Sequence, residues 1–336
     1  MMLRILYLIL AGFIAAPALA RAENITGAGA SFPFPIYSTW AFMYKEKTGF
    51  EVNYQSVGSG AGLNQVTAGT VDFGGSDDPQ TSAQLKKANL IQFPAVLGGV
   101  VVIVNLDGFA NNDLLLSGKV LADIFHGKIK KWNDPAIAAL NSGKKLPDAT
   151  INVIYRADSS GTTAVFTEYL SQMSQEWKDD LGAAKSINWP EGVGRGAKGN
   201  EGMAGSVKST RNSIGYLEFA HAAENKITWT SLVSKAGQKV EPSYETISKA
   251  AGEAKWDQSL DYFLWLVNPD GAESWPITAA TYILIKRDNP KALANVTKFF
   301  DWCFVNGDKE AVTLQYVPLP ESLKEDIRSY WRAAAK

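Results

Sequence analysis

A strand-turn-helix pattern, repeated near the start of the chain, constrains the fold more than any other feature. Three times between residues 25 and 79 an apolar, strand-like run ends in glycine, serine or aspartate and a helix-like run begins, at turns 27–32, 58–62 and 76–79. Strands that alternate with helices are typical of an α/β domain with a mostly parallel sheet. Ligands of such sheets bind beyond the carboxyl ends of the strands, which is where these turns would lie.

Two long β-branched runs, 93–105 and 275–285, predict buried strands on either side of a middle segment. Their positions indicate a discontinuous first lobe, with the middle of the chain inserted between its two parts. We therefore predict that lobe 1 consists of residues 23–104 plus 280–336 and lobe 2 of residues 105–279. The ligand would then lie in the cleft between the lobes.

The segment 156–162, Arg-Ala-Asp-Ser-Ser-Gly-Thr, lies between a strand-like run (151–155) and a helix-like run. This position offers N–H groups at a helix start, the positive end of the helix dipole, two serine hydroxyls and a glycine that lets the backbone approach a ligand. Arg156 adds a planar fork of donors that fits a tetrahedral oxyanion. We predict an anion site here, to which the other strand-end turns add small donors and one carboxylate: Ala30, Ser31, Phe32, Ser59 and Asp77.

Composition excludes several classes of function. The 336 residues are 46% apolar and 20% charged, with a formal net charge of −1, which is typical of an ordinary globular protein. Such a balance excludes the broad positive surface of a protein that binds nucleic acid or an anionic membrane. Any bound anion would therefore be held by local donors.

The N-terminal residues 1–22 predict a cleaved secretion signal. Arg4 provides a positive start, the apolar run 5–16 is too short to span a bilayer, and Ala20 and Ala22 suit cleavage, which we place after Ala22. No cysteine follows this site, so we do not expect a lipid anchor. We expect the mature chain to lie in the periplasm.

Few residues could bind a metal or activate a nucleophile. Cys303, the single cysteine, lies on an apolar helical face and is expected to be buried. His126 and His221 have no carboxylate at metal-ligand spacing, so we predict structural or surface roles for both, and neither a metal nor a cofactor. The glycine-dense stretch 192–205 predicts a mobile surface loop, with a loop that grips phosphate as the alternative.

Nucleotide-binding motifs are absent from the sequence. The turn 27–32 lacks the third glycine of the dinucleotide fingerprint, no Gly-Lys-Ser/Thr sequence occurs, and Asp-Phe-Gly at 72–74 stands without the other kinase motifs. A secreted phosphatase with a serine near Arg156 as nucleophile is the alternative of a different class. It would lack a partner base and a metal cluster.

Seven blocks of sequence, taken together and in order, indicate a family. They are Gly-Ala-Gly-Ala-Ser-Phe-Pro, Val-Gly-Ser-Gly-Ala-Gly, Val-Asp-Phe-Gly-Gly-Ser-Asp, Phe-Pro-Ala-Val-Leu-Gly-Gly-Val-Val, Gly-Lys-Ile-Lys-Lys-Trp, Arg-Ala-Asp-Ser-Ser-Gly-Thr and Trp-Pro-Ile-Thr. In this order they resemble the periplasmic phosphate-binding proteins of high-affinity phosphate ABC importers. The resemblance implies an α/β periplasmic-binding-protein fold of type II, in which two doubly wound lobes, joined by two hinge strands, close around one dehydrated phosphate.

The resemblance also implies which residues bind phosphate and which partners receive it. One lobe would supply backbone N–H groups and the Ser31 hydroxyl from Ala30, Ser31 and Phe32, together with Ser59 and Asp77. The other lobe would supply Arg156, Ser160, Gly161 and Thr162, with Asp158 orienting the arginine. Both lobes would dock on a membrane permease with an ATPase on its cytoplasmic side, and the binding unit would be a monomer.

Three positions depart from the family pattern. Ser31 stands where threonine is common, Gly60 where a second serine is common, and Ser159 where glycine is common. Ser31 keeps the hydroxyl and is therefore expected to bind phosphate. Gly60 and Ser159 are expected to affect only the fine adjustment of affinity.

Asp77 is expected to provide the selectivity for phosphate. An ionised carboxylate only accepts hydrogen bonds, and both HPO4²⁻ and H2PO4⁻ carry a P–OH that can donate to it, whereas sulfate at neutral pH carries none. Sulfate would leave the buried carboxylate unpaired, at a cost of about 3–5 kcal/mol, on the order of 10²–10⁴ in affinity. A receptor for sulfate or another oxyanion is thus the alternative that Asp77 disfavours.

Overall fold

The computed structural model describes residues 24–335, so the predicted secretion signal (1–22) lies outside the described residues. Within them, no helix is both long enough and apolar enough to cross a membrane. The first part of the chain alternates strands with helices, as the turn pattern predicts. Its elements are β1 (Asn24–Gly29), α1 (Phe34–Thr48), β2 (Glu51–Ser56), α2 (Ser59–Ala68), β3 (Phe73–Ser76) and α3 (Ser82–Ala88).

The middle of the chain begins with a 16-residue strand, β4 (Leu90–Asn105), and continues with shorter elements. These are β5 (Leu115–Leu116), α4 (Gly118–His126), α5 (Pro135–Leu140), β6 (Asn152–Arg156), α6 (Gly161–Met173), α7 (Gln175–Asp180), β7 (Gly194–Ala197), α8 (Gly199–Ser209), β8 (Ser213–Glu218), α9 (Phe219–Glu224), β9 (Ser231–Val233), β10 (Lys239–Val240), α10 (Tyr244–Gly252) and a 3-10 turn (Gln258–Leu260). The last part contains β11 (Thr278–Lys286), α11 (Pro290–Asn306), α12 (Asp308–Thr313) and α13 (Glu321–Ala334).

An eight-stranded sheet, in the order β2-β1-β3-β11-β4-β8-β6-β7, joins the two halves of the molecule. The strand β4 pairs with β11 as far as Gly99 and with β8 from Val100 to Asn105, so it belongs to both halves. We call the half that contains β1, β2, β3 and β11 lobe 1, and the half that contains β6, β7 and β8 lobe 2. A separate sheet has the order β10-β9-β5.

Strand directions explain how the chain forms two lobes. β1 lies parallel to β2 and β3 in lobe 1, and β6 lies parallel to β7 and β8 in lobe 2, as the alternating pattern predicts. The long strands β4 and β11 are antiparallel, because the chain leaves lobe 1 along β4 and returns along β11. The predicted strand at 275–285 begins only at Thr278, after Pro276, which has no N–H for a sheet ladder. The two-lobed α/β fold is confirmed, and the exact lobe limits stay a prediction.

Each lobe contributes a group of packed aromatic rings to one continuous hydrophobic core. In lobe 1, the ring of Phe300 meets those of Tyr37 and Phe73, with centroids 5.6 and 5.7 Å apart. In lobe 2, Phe166 stacks on Tyr216 with centroids 4.2 Å apart. Such pairs contribute packing energy in addition to their buried area. These ring contacts stabilise strand β3 in lobe 1 and strand β8 in lobe 2.

The stretch 192–205 is not the mobile surface loop that its glycines suggest. Residues 194–197 form the edge strand β7, parallel to β6, and helix α8 begins at Gly199. Gly199 has a φ of +69°, which favours glycine, and its N–H donates to Asp158. The prediction was wrong because glycine content alone does not distinguish a mobile loop from a strand and a helix start packed against a neighbour.

Candidate functional site

The candidate site lies where strand ends of the two lobes meet. β1 and β3 of lobe 1 and β6 of lobe 2 end here, and the helices α2 and α6 begin here. The predicted contact residues are all buried: Ala30, Ser31, Phe32, Ser59, Asp77, Arg156, Ser160, Gly161 and Thr162. The structure thus brings the four strand-end turns of the sequence into one interlobe cleft.

Ser59 joins the two lobes inside this cleft. Its hydroxyl oxygen accepts hydrogen bonds from the N–H of Asp77 at 3.3 Å and from the N–H of Gly161 at 3.1 Å. A Cβ at position 161 would lie 2.4 Å from the Ser59 oxygen, so glycine is needed for this approach. Because the oxygen already accepts twice, the hydroxyl proton of Ser59 is left for a further acceptor.

Asp77 is a buried carboxylate with one free oxygen. Its Oδ2 accepts a hydrogen bond from the Thr162 hydroxyl at 3.3 Å across the cleft, whereas its Oδ1 has no hydrogen-bond partner. Burial raises the pKa of Asp77 to about 7, against the opposing effects of the Thr281 hydroxyl, the charge of Arg156 and the Thr162 hydroxyl. A donor placed against Oδ1 would stabilise the ionised form of this carboxyl.

Arg156 is a buried cation with one free donor group. Its Nε and Nη2 donate to Asp158 Oδ1 and Oδ2 at 2.7 and 2.6 Å, a bidentate pair that holds the guanidinium in place, and its Nη1 has no partner. Burial, the largest single effect, raises the pKa of Asp158. The hydrogen bonds and charge of Arg156, with the N–H of Gly199, outweigh burial, so this pKa lies below its ordinary value. Asp158 thus lies where the predicted orienting role requires it.

The start of α6 forms the lobe 2 side of the cleft. Ser160 caps this helix, since its hydroxyl oxygen accepts the N–H of Thr163 at 3.1 Å, and its own N–H donates to the Lys185 carbonyl at 2.9 Å. The hydroxyl proton of Ser160 is therefore available to another acceptor. The helix that begins here is 13 residues long, and the partial positive charge at its N-terminus favours an anion.

The turn after β1 is held by residues of lobe 2. The Ser31 carbonyl accepts a hydrogen bond from Nε2 of His221 at 2.8 Å. The Ser31 hydroxyl oxygen accepts two more, from the backbone N–H and from the side-chain Nδ2 of Asn200, at 3.0 and 2.9 Å. Ser31 is therefore a second point at which the lobes are in contact.

Ala30 does not have the free N–H group that the family resemblance implies for it. Its N–H donates to the Gly75 carbonyl at 2.9 Å, and its own carbonyl accepts from the Tyr54 hydroxyl at 2.9 Å. The N–H thus continues the pairing of β1 with β3 beyond Gly29, and the carbonyl is bonded by a side chain of β2. Ala30 therefore has no N–H that is free for a ligand in this structure.

Several residues near the cleft are not indicated by any pattern in the sequence. The Tyr216 hydroxyl on β8 accepts the N–H of Arg156 at 3.3 Å and hydrogen-bonds the Thr163 hydroxyl at 2.7 Å, and burial raises its pKa to about 12. The buried hydroxyl of Thr281 on β11 makes no hydrogen bond of standard geometry, but it lies near enough to Asp77 to lower the pKa of that carboxyl. Asn200 donates two hydrogen bonds to the Ser31 hydroxyl oxygen. Each lies within a strand or helix with ordinary periodicity, so only the folded arrangement connects it to the site.

The departures at positions 60 and 159 compensate each other across the cleft. The N–H of Gly60 donates to the Ser159 carbonyl at 3.0 Å, and a Cβ at position 60 would lie 2.1 Å from the Ser159 hydroxyl oxygen. A serine at position 60 therefore needs a residue without a side chain at position 159. The family pattern has serine at position 60 and glycine at position 159. This chain has the reverse, so the contact still contains one serine hydroxyl.

The arrangement is suited to binding an anion and not to attacking it. Burial lowers the pKa of His221, whose Nε2 is bonded to a carbonyl, and His126 pairs with Asp180 at 2.9 Å. Cys303 is buried, as expected, and burial raises its pKa. Within residues 24–335, no group of histidine, cysteine and carboxylate side chains could hold a metal ion. The cleft thus offers N–H and hydroxyl donors, one guanidinium and one carboxylate.

Comparison with known proteins gives matches along nearly the whole chain. Residues 15–306 match the model of the PBP superfamily domain. The chain is 51% identical to the phosphate-binding protein PstS of Pasteurella multocida, over 94% of this chain and 92% of that protein. It is also 51% identical to the phosphate-binding protein PstS of Haemophilus influenzae, over 94% of this chain and 95% of that protein.

A solved structure shows the same fold. The chain is similar to a high-affinity periplasmic phosphate-binding protein (PfluDING) bound with phosphate, with a TM-score of 0.73 and 23% sequence identity. The similarity covers 91% of this chain and 93% of that one. At this level of identity the likeness supports the two-lobed architecture and no particular residue of the cleft.

Proposed function

The chain belongs to the PBP superfamily and, within it, to the phosphate-binding PstS proteins, and we propose that it captures inorganic phosphate between its lobes and delivers it to an ABC import permease. The relatives support this proposal through their identity along almost all of the chain. They are binding proteins by name, and the chain is accordingly a binding protein and not an enzyme. Release of alcohol from an aryl phosphate ester would contradict this assignment.

The strongest support from the geometry is a pair of buried, unpartnered atoms of opposite kind. Asp77 Oδ1 can only accept a hydrogen bond when ionised, and Arg156 Nη1 can only donate one. A ligand that satisfies both atoms needs a proton to donate and an anionic oxygen in the same small molecule. HPO4²⁻ and H2PO4⁻ provide both, whereas sulfate provides only the anionic oxygens.

The other oxygens of phosphate would be held by donors from both lobes. The hydroxyl protons of Ser59 and Ser160 are available, because their oxygens already accept hydrogen bonds from backbone N–H groups. Neutral donors of this kind bind an anion without adding further charge to a buried site. We assign phosphate contacts to Ser31, Phe32, Ser59, Asp77, Arg156, Ser160 and Thr162, with Asp158 orienting Arg156. Ala30 and Gly161, whose N–H groups donate to Gly75 and Ser59, would position the turns that carry these donors.

Opening and closing of the lobes would admit and release the ligand. We propose the limits 23–104 plus 280–336 for lobe 1 and 105–279 for lobe 2. These limits lie close to the change of β4 partners between Gly99 and Val100 and to the start of β11 at Thr278. Contacts that cross the cleft, such as the ion pair of Lys185 with Asp78 at 2.5 Å, would break on opening. Phosphate that contacts both lobes would bind the closed form more tightly than the open form, and it would therefore favour closure.

The site of action and the partners follow from the same assignment. We propose that the mature protein acts in the periplasm, which is supported by the secretion-signal pattern at residues 1–22. We further propose that it docks on a permease coupled to a cytoplasmic ATPase. It would act as a monomer, because one two-lobed chain encloses one complete site.

Phosphate titration of the wild-type protein tests the proposal directly. We expect phosphate-stripped mature protein to show a saturable change in fluorescence, since it contains ten tryptophans, some of which should report lobe closure. Saturation at micromolar or lower phosphate, with no response to millimolar sulfate at pH 8.5, is the expected result. A comparable response to both anions would change the assignment to a broader oxyanion receptor. No response to either anion, with calorimetry also flat, would overturn the binding function.

A swap across the cleft tests the contact of Gly60 with Ser159. We expect Gly60→Ser to weaken phosphate binding by roughly 10- to 100-fold, because overpacking typically costs about 1–3 kcal/mol and the clash arises only when the lobes close. Adding Ser159→Gly should restore binding to nearly the wild-type value. Calorimetric titrations of both variants measure this, with melting temperatures as the check on folding. Equal affinities of the single and double variants would contradict the contact.

A further inference from the structure

Asn200 is a fully buried residue near the start of α8, and all of its side-chain polar atoms are used. Its Nδ2 and its backbone N–H both donate to the Ser31 hydroxyl oxygen, at 2.9 and 3.0 Å. Its Oδ1 accepts the backbone N–H of Glu218 at 3.1 Å. A buried amide that makes these three bonds is held in one orientation.

The chemistry of the partners establishes which amide atom faces Ser31. A backbone N–H can only donate, so the atom next to Glu218 N must be the oxygen of the Asn200 amide. The atom next to Ser31 must then be the NH2 group, which can only donate. The direction of both hydrogen bonds to Ser31 is therefore determined.

We propose that Asn200 is a positioning residue that makes the Ser31 hydroxyl a donor only. A hydroxyl oxygen has two lone pairs and one proton, and Asn200 occupies both lone pairs. The proton of Ser31 can then bond only an acceptor, and a phosphate oxygen without a proton is such an acceptor. This inference rests on the proposed function, because it concerns how the same site holds phosphate.

The position of Asn200 connects this effect to closure of the cleft. Ser31 follows β1 of lobe 1 and Asn200 lies in lobe 2, so the two hydrogen bonds exist only when the lobes are together. In an open form, the Ser31 hydroxyl could donate to water or accept from it. Closure thus converts Ser31 into a donor, which leaves Asp77 as the acceptor for the P–OH of the ligand.

Substitution of Asn200 by aspartate reverses the direction of one hydrogen bond. Asn200→Asp keeps the shape and the oxygen that accepts from Glu218, but its second oxygen would accept the Ser31 proton and withdraw it from phosphate. The added negative charge would also repel the anion, so one variant alone does not isolate the effect. A double-mutant cycle with Ser31→Ala isolates the effect on the hydrogen bond. The charge added by Asn200→Asp repels phosphate equally whether or not residue 31 carries a hydroxyl, so this repulsion cancels in the cycle.

The cycle uses phosphate titrations of four full-length mature proteins. Ser31→Ala should weaken binding on the order of 10- to 100-fold in the wild-type background, the value of a hydrogen bond to a charged group. In the N200D background the same change should stay within about twofold, the usual margin of additivity. Ser31→Thr, which keeps the hydroxyl, should bind like wild type with Asn200 present. If N200D does not fold, Asn200→Ala replaces it. Alanine frees one lone pair of the Ser31 oxygen without taking up its proton, so the Ser31→Ala effect should become smaller but not vanish, and an unchanged effect would overturn the inference.

The outcomes separate this inference from the proposed function. A Ser31→Ala effect of equal size in both backgrounds would show that Asn200 has only a structural role, and the inference would be overturned while the binding function stands. Absence of phosphate binding by the wild-type protein would overturn the function itself. Strong coupling between positions 31 and 200 would support both.

Discussion

Asp77→Asn is expected to bring the affinities for phosphate and sulfate close together at pH 8.5. At that pH the carboxyl, whose pKa is about 7, is mostly ionised and leaves Oδ1 unpaired against sulfate. The amide of asparagine presents both an acceptor and a donor, so it can pair with either anion. Phosphate should weaken, because it loses a charge-assisted hydrogen bond, and sulfate should strengthen, because it no longer faces a buried charge.

The expected size of this change follows from the cost of the unpaired charge. Leaving a buried charged group without a partner costs about 3–5 kcal/mol, so the ratio of phosphate to sulfate affinity should fall on the order of 10²–10⁴. Calorimetric titrations with each anion measure the ratio. Asp288→Asn, which changes an exposed aspartate of lobe 1, is the matched control and should keep the wild-type ratio. An undiminished ratio in Asp77→Asn would contradict the role of Asp77.

The pH dependence gives an independent check on the same carboxyl. The pKa is raised, so Asp77 is protonated below about pH 7 and can then donate to a sulfate oxygen. We expect the sulfate affinity of the wild-type protein to rise as the pH falls through 7 and to level off below it. Asp77→Asn, which does not titrate, should show no such rise. A rise of equal size in both proteins would assign it to another group.

The fold was predictable because its main signals are local. Each predicted turn lies where a strand ends or a helix begins in the structure. The turn 27–32 contains the end of β1, the turn 58–62 opens α2, and the turn 76–79 begins at the last residue of β3. The continuous β-branched run at 93–105 predicts a strand buried on both faces, and β4 is the strand that both lobes share. Periodicity and turn chemistry are properties of adjacent residues, so one sequence is sufficient to find them.

The details of the site were less predictable because they depend on residues far apart in the sequence. Nothing near Asn200 indicates that it contacts Ser31, and nothing near Ala30 shows that its N–H pairs with Gly75. The compensation between Gly60 and Ser159 likewise appears only when the cleft is assembled. Each of these contacts joins two elements whose own sequence patterns are ordinary. The contact is determined by how the strands and the lobes pack, which no single stretch of sequence indicates.

Arg156→Ala is expected to weaken phosphate and sulfate together, in contrast to Asp77→Asn. Nη1 of Arg156 donates to anionic oxygens, which both anions have, so its loss does not distinguish them. The change also leaves Asp158 partly buried without its cation, and the unpaired negative charge would repel any anion in the cleft. Removal of one partner of a buried pair costs about 3–5 kcal/mol, so both affinities should fall on the order of 10²–10⁴.

Arg156→Lys separates the charge from the geometry of the guanidinium. Lysine keeps the positive charge but cannot hold Asp158 with two parallel bonds and reach the ligand with a third group, so we expect a loss of roughly 10- to 100-fold. Arg195→Ala, which removes an exposed arginine of lobe 2, should leave both affinities unchanged. Phosphate titrations of each variant measure the loss for phosphate, with melting temperatures as the check on folding. Sulfate titrations in the Asp77→Asn background, where sulfate binding is expected to be stronger, measure the loss for sulfate. Unchanged phosphate binding by Arg156→Ala would contradict the assignment of Arg156, and a loss for phosphate alone would contradict its role as a donor to the anionic oxygens that both anions share.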